Sequence, residues 1–183
     1  WCRGGWLQTL SIKSLRPDLD VDHYEGCVAF DVPGDQTPPD VLSGYYLPVP
    51  RPTQKPTVIV FHGRGGHARS GYMRSMAERL LAAGYPVVLW NNRGAGSSAR
   101  NCIRFHHPGY TDDISLLVNY LHEQQAEWTR NGLAAVAFSL GANVLLRYLA
   151  ETEGNCAFRA AAVVSAPLDM ETTSINLQSG LNR

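Results

Sequence analysis

The chain has no excess of charge of either sign. Its 183 residues carry 16 basic and 16 acidic side chains, and charged residues make up only 17%, against about 25% in an average soluble domain. That balance excludes a disordered acidic or basic tail. It also argues against nucleic acid as a partner, because no cationic surplus is available to neutralise phosphates. Lysine is nearly absent, with only Lys13 and Lys55, and the arginines are scattered. Arg64, Arg69, Arg74 and Arg79 recur every five residues, a spacing that keeps no single helical face. No apolar run approaches the roughly 20 residues of a membrane span. Cysteine is sparse: Cys2, Cys27, Cys102 and Cys156 form no CxxC pair and stand at no zinc-finger spacing from a histidine. Four reduced thiols are therefore expected, with no disulfide framework, metal or cofactor. No Asn-x-Ser/Thr sequon occurs, which fits a cytoplasmic protein. The chain opens at Trp1 without Met or a signal-peptide pattern, so membrane association through a preceding segment stays open. Histidine, too, is missing from a whole stretch: none follows His122.

What is present falls into two parts. Residues 1–56 read as an N-terminal extension and a short meander. VDHYEGCVAFD (21–31) and VLSGYYLP (41–48) are β-rich, and the prolines crowded between Pro33 and Pro56 exclude helix there. From Thr57 onward strand and helix alternate. TVIVF (57–61), PVVLW (86–90), LAAVAF (133–138) and RAAAVVSA (159–166) are apolar runs of strand length, expected to be buried on both faces. Between the first two, 72–84 is amphipathic, with Tyr72, Met73, Met76, Leu80 and Leu81 on one face and Gly84 as a stop. Thr111 is expected to cap a helix whose first turn holds Asp112 and Asp113. This repeat predicts one domain: an α/β, mostly parallel, doubly wound sheet with ligands at the strands' carboxyl ends. Loops 62–71, 91–109 and 138–142 lie there.

Ala137-Phe138-Ser139-Leu140-Gly141 stands directly between a strand and a helix. In that context Ser-x-Gly points to a nucleophile on a sharp turn, its hydroxyl raised above the sheet and backed by a helix N-terminus. The plain alternative is a serine capping a helix. His62-Gly63-Arg64 directly follows the TVIVF strand, and both loops lie at strand carboxyl ends and can converge, so the backbone N–H groups of Arg64 and Leu140 are the expected oxyanion donors. His62 reads as a structural brace, and His106-His107, whose side chains diverge, as loop residues. Asp169 is a turn residue first and an acid candidate second. The same glycines carry a rival. Gly63-x-Gly65-x-x-Ala68 and Gly94-x-Gly96-x-x-Ala99 follow strands as dinucleotide fingerprints do. Neither has the acidic residue expected about 20 positions on, although Arg93 offers a partner for a 2′-phosphate.

Six ordered segments resemble the hydrolase-4 branch of the α/β-hydrolase superfamily, which includes YheT-like esterases and yeast medium-chain ethanol acyltransferases. They are Gly5–Leu10, Phe61-His62-Gly63, Asn91-Asn92-Arg93-Gly94, Phe105–Asp113, Phe138–Asn143 and Ser165–Asp169, with Gly180–Arg183 resembling the approach to a lid-like region. Ala137, Ala142 and Arg64-Gly65-Gly66 depart from the family pattern. The resemblance implies a serine carboxylester hydrolase or acyltransferase acting on short- to medium-chain acyl esters, small molecules, through an acyl-serine at Ser139. It implies that the triad acid and histidine lie beyond Arg183, so that residues 57–183 form the first part of the core and the sheet is incomplete at its C-terminus. A non-catalytic binding scaffold of the same fold is the alternative.

Overall fold

The computed structural model describes residues 17–178; the expected matches at Gly5–Leu10 and Gly180–Arg183 lie outside them. Six strands form one sheet: β1 (Val28–Pro33), β2 (Val41–Leu47), β3 (Thr57–Phe61), β4 (Val87–Asn91), β5 (Leu133–Phe138) and β6 (Phe158–Val164), in the order β1-β2-β4-β3-β5-β6. The first two are antiparallel to their neighbours, and β4, β3, β5 and β6 run parallel. The sheet is thus α/β and mostly parallel with an antiparallel N-terminal pair, as its strand-helix repeat implied.

The helices are α1 (Gly71–Ala82), α2 (Asp112–Gln124), the single turn α3 (Ala126–Thr129), α4 (Ser139–Glu151) and α5 (Met170–Gln178). A 3-10 turn spans Gly96–Arg100. α1 ends at Gly84, whose φ of +79° lets Gly84 N–H reach Leu81 and Tyr85 N–H reach Leu80, the paired bonds that close a helix on glycine. α2 starts differently from expectation. Thr111 is itself helical and its hydroxyl makes no cap bond; its side chain comes near enough to Glu151 of α4 to help lower that carboxyl's pKa. Helix-to-helix contact has overridden the local cap.

Side-chain alternation splits the core between the two faces. Ile59, Phe61, Val88, Trp90 and Ala135 pack under α2 and α4, with Leu117, Leu121 and Leu145. Val58, Val60, Val87 and Leu89 pack under α1, with Met73 and Ala77. β3 and β4 are buried on both faces, as their apolar runs implied. β5 is not: Ala134, Val136 and Phe138 are only half-buried. β6 departs further, since Arg159 through Val164 are exposed. Both runs are apolar, but burial needs a covering layer: α1 lies over β3 and β4 and leaves that face of β5 half open. β6 is the sheet edge among the described residues.

The crossovers place the site. After β3 the chain goes to α1 on one face; after the adjacent β5 it goes to α4 on the other. Neighbouring strands whose chains diverge this way open a crevice at their carboxyl ends. His62–Gly66 and Ser139 stand at that crevice.

Candidate active site

Ser139 begins α4 directly after β5 and holds φ at +51°. A non-glycine residue in this left-handed region is strained and is kept there only by its surroundings. The surroundings are two backbones in near contact. A β-carbon added to Gly141 would collide with the His62 carbonyl oxygen. One added to Gly63 would lie 2.9 Å from Ser139 Cβ and 3.2 Å from the Phe138 carbonyl oxygen. Glycine at 63 and 141 therefore lets the β3 loop and the β5–α4 turn touch, while Ser139 remains exposed.

The turn after β3 is held from several directions. Tyr72 of α1 accepts the Gly63 N–H at 3.0 Å, and its ring meets Phe138 edge-on at 5.1 Å. His62 donates Nδ1–H to the Gly63 carbonyl at 2.8 Å and accepts the Asn92 N–H at Nε2 at 3.0 Å. Asn92 Nδ2 returns to the His62 carbonyl at 3.0 Å. Burial holds His62 neutral and lowers its pKa to about 4, outweighing the bond to the Gly63 carbonyl, which favours the charged ring. It braces the loop and has no free nitrogen for a proton from Ser139. Asn91 does the same one strand over: Oδ1 accepts the Ala68 N–H at 2.8 Å, and Nδ2 donates to Ser43 and Ser97 at 3.2 and 3.1 Å.

All three glycine-bearing loops converge. Gly63, Arg64, Gly66, Gly94, His106 and Leu140 border one cleft of about 350 Å³, and Ser139 lies against Gly63. Among the described residues, the N–H groups of Arg64 and Leu140 have no acceptor, and Leu140 is in the first turn of α4, where amides point outward and favour negative charge. A larger cleft of about 670 Å³ lies at the opposite end of the sheet, around Asp18, Tyr24 and Pro48; no residue singled out for chemistry borders it.

Other residues are drawn elsewhere. Asp169 caps α5, accepting from Thr172 N–H at 2.9 Å and its hydroxyl at 2.6 Å, and these bonds lower its pKa. His107 is exposed and lies tilted against the Tyr110 ring. Arg93, 2% exposed, is clamped between Asp40 and Asp113 and lies over the Tyr110 ring, so it is not available to a 2′-phosphate. The second glycine pair leads into a 3-10 turn rather than a helix. Among the described residues no histidine hydrogen-bonds Ser139.

Residues 52–178 match the Hydrolase_4 family, whose description is serine aminopeptidase, S33. The chain belongs to this family. It is 33% identical over 129 residues to YheT of Escherichia coli (strain K12), a match covering 70% of this chain and 37% of that one. It is 31% identical over 131 residues to medium-chain fatty acid ethyl ester synthase/esterase 2 of Saccharomyces cerevisiae (strain ATCC 204508 / S288c), 69% of this chain and 28% of that. The fold is that of the Pyrococcus furiosus esterase Pf2001, with a TM-score of 0.68 at 22% identity, over 91% of this chain and 63% of that one. The chain spans about a third of the length of these curated relatives. The resemblance drawn from six segments is thus to the family the chain is in. What the segments did not single out is the bracing by Asn91, Asn92 and Tyr72; the Asn-Asn-Arg-Gly run was the signal for the first two.

Proposed function

We propose that the protein is a serine ester hydrolase or acyltransferase acting on short- to medium-chain acyl esters, with Ser139 as nucleophile. The observation that carries this reading is the strained, exposed Ser139 pressed against Gly63, which borders the cleft. Ser139 Oγ attacks the ester carbonyl, and the negative oxygen that forms is taken by the Arg64 and Leu140 N–H groups. Donors already in place need no reorganisation as charge develops, which is why such pairs lower the barrier. The Ser139 proton goes to a histidine base. His62 is committed to the loop at both ring nitrogens and does not serve as that base. Collapse releases the alcohol, and water or a second alcohol then takes the acyl group from Ser139.

The test is turnover of p-nitrophenyl esters from acetyl to decanoyl by the intact protein, with p-nitroanilides alongside because the family description is of an aminopeptidase. Ser139→Ala is expected to lower ester turnover by several orders of magnitude and to abolish covalent labelling by a fluorophosphonate. Undiminished turnover in Ser139→Ala refutes the assignment. Absence of both turnover and labelling in the wild type supports the non-catalytic scaffold instead.

A further inference from the structure

His106 has no part in this mechanism, yet it borders the same cleft as Arg64 and Leu140. Its backbone is fixed, since its N–H donates to the Arg93 carbonyl at 3.1 Å. Its side chain is not fixed by any bond: both ring nitrogens are shielded from solvent and have no hydrogen-bond partner among the described residues. Other polar side chains around the cleft are committed. His62 is bonded at both nitrogens, Asn92 serves the His62 carbonyl, and Arg93 is held by two carboxylates. His67 and Arg64 are exposed at the rim. His106 is thus the uncommitted polar group of the inner wall. Its ring can turn toward the cleft without breaking a hydrogen bond, because it makes none. An unsatisfied buried polar group is also costly, so a ligand that satisfies it is bound with advantage.

We infer that His106 determines specificity by hydrogen-bonding a hydroxyl group on the substrate, next to the reacting ester. This rests on the acyl-serine reading of the cleft. Burial, with His62, His107 and Arg93 nearby, lowers the His106 pKa to about 4, so at neutral pH the ring offers one donor and one acceptor. A hydroxyl also has one of each. A carboxylate, phosphate or ammonium would instead bring a charge with no counter-charge against a neutral ring, because Arg93 is already held by two carboxylates. The hydroxyl can belong to the alcohol, as in a glycerol monoester, or to the acyl chain, as in a hydroxy acid.

Three esters of equal acyl length separate these sources: methyl butyrate, glycerol monobutyrate and methyl 3-hydroxybutyrate, each assayed with the intact protein. The wild type is expected to prefer one hydroxylated ester. His106→Phe should lower kcat/KM for that ester about tenfold or more and leave methyl butyrate within about twofold. His106→Asn, which keeps a donor and an acceptor, should restore part of the preference, and carries the test if the Phe variant does not fold. A ratio of hydroxylated to plain ester that is unchanged in His106→Phe, or unchanged in His106→Asn where that variant alone folds, overturns the inference. Calorimetric binding of the same esters to Ser139→Ala gives the ratio without turnover. Absent hydrolysis with a His106-dependent binding ratio therefore counts against the acyl-serine reading and not against His106.

Discussion

Replacing Ser139 by glycine should make the protein more stable while removing its proposed nucleophile. The prediction follows from the backbone. At φ +51° an L-residue suffers the contact between Cβ and the following carbonyl, which costs about 1–2 kcal/mol. Glycine has no such contact but loses about 0.5–1 kcal/mol more than alanine in chain entropy on folding. The Ser139 side chain makes no hydrogen bond among the described residues, so little is given up with it. The difference leaves Ser139→Gly about 0.5–1 kcal/mol more stable than Ser139→Ala, which keeps the β-carbon and so the strain. In an unfolding transition of a domain this size that is a rise of about 1–4 °C in Tm. Calorimetry or denaturant titration of the wild type and both variants decides it. Both variants should lose turnover; only the glycine variant should gain stability. If Ser139→Gly is less stable than Ser139→Ala, the turn is not strained as described, and the argument from its geometry to a raised nucleophile fails, whatever the activity data show.

Two further outcomes follow from buried charge. Arg93→Ala leaves Asp40 and Asp113 buried without their cation and should destabilise the fold by about 3–5 kcal/mol; a loss below about 1 kcal/mol would show that the cluster is solvated. Stability should also fall as pH drops from 6.5 toward 4. His62 and His106 have pKa values lowered to about 4 in the fold, so in that window the unfolded chain binds more protons and the folded state loses ground. Each contributes on the order of 2–3 kcal/mol at neutral pH. The exposed His23–Asp20 pair, with His23 raised, has the opposite sign but is screened by water. Unfolding free energies measured across this range should rise with pH, and His62→Gln should flatten the slope; an equal slope in the variant would refute the assignment.

The parts of this molecule legible in the sequence are those decided by short stretches of chain. β3 and β5 fall on the residues their apolar runs predict, because a strand between glycine-bearing loops is a local pattern. The nearness of Ser139 to the 62–66 loop was legible for a similar reason. Gly63 and Gly141 each flank an apolar strand end, and only contact between two backbones requires glycine at both. What escaped depends on partners far along the chain. LAAVAF and RAAAVVSA carry no sign of whether a helix covers them, and β6 is exposed although its composition is that of a buried strand. Thr111 looks like a cap, but its backbone is helical and its side chain lies toward Glu151, 40 positions later. Arg93 offers itself as a phosphate ligand until Asp40, just before β2, and Asp113 of α2 converge on it. The same distinction separates two histidines near one cleft. His62 reads in the sequence as a brace and His106 as a loop residue, and only the structure tells their roles apart. The long-range bonds from Asn92 remove His62 from chemistry, and the absence of any such bond among the described residues leaves His106 to meet a ligand.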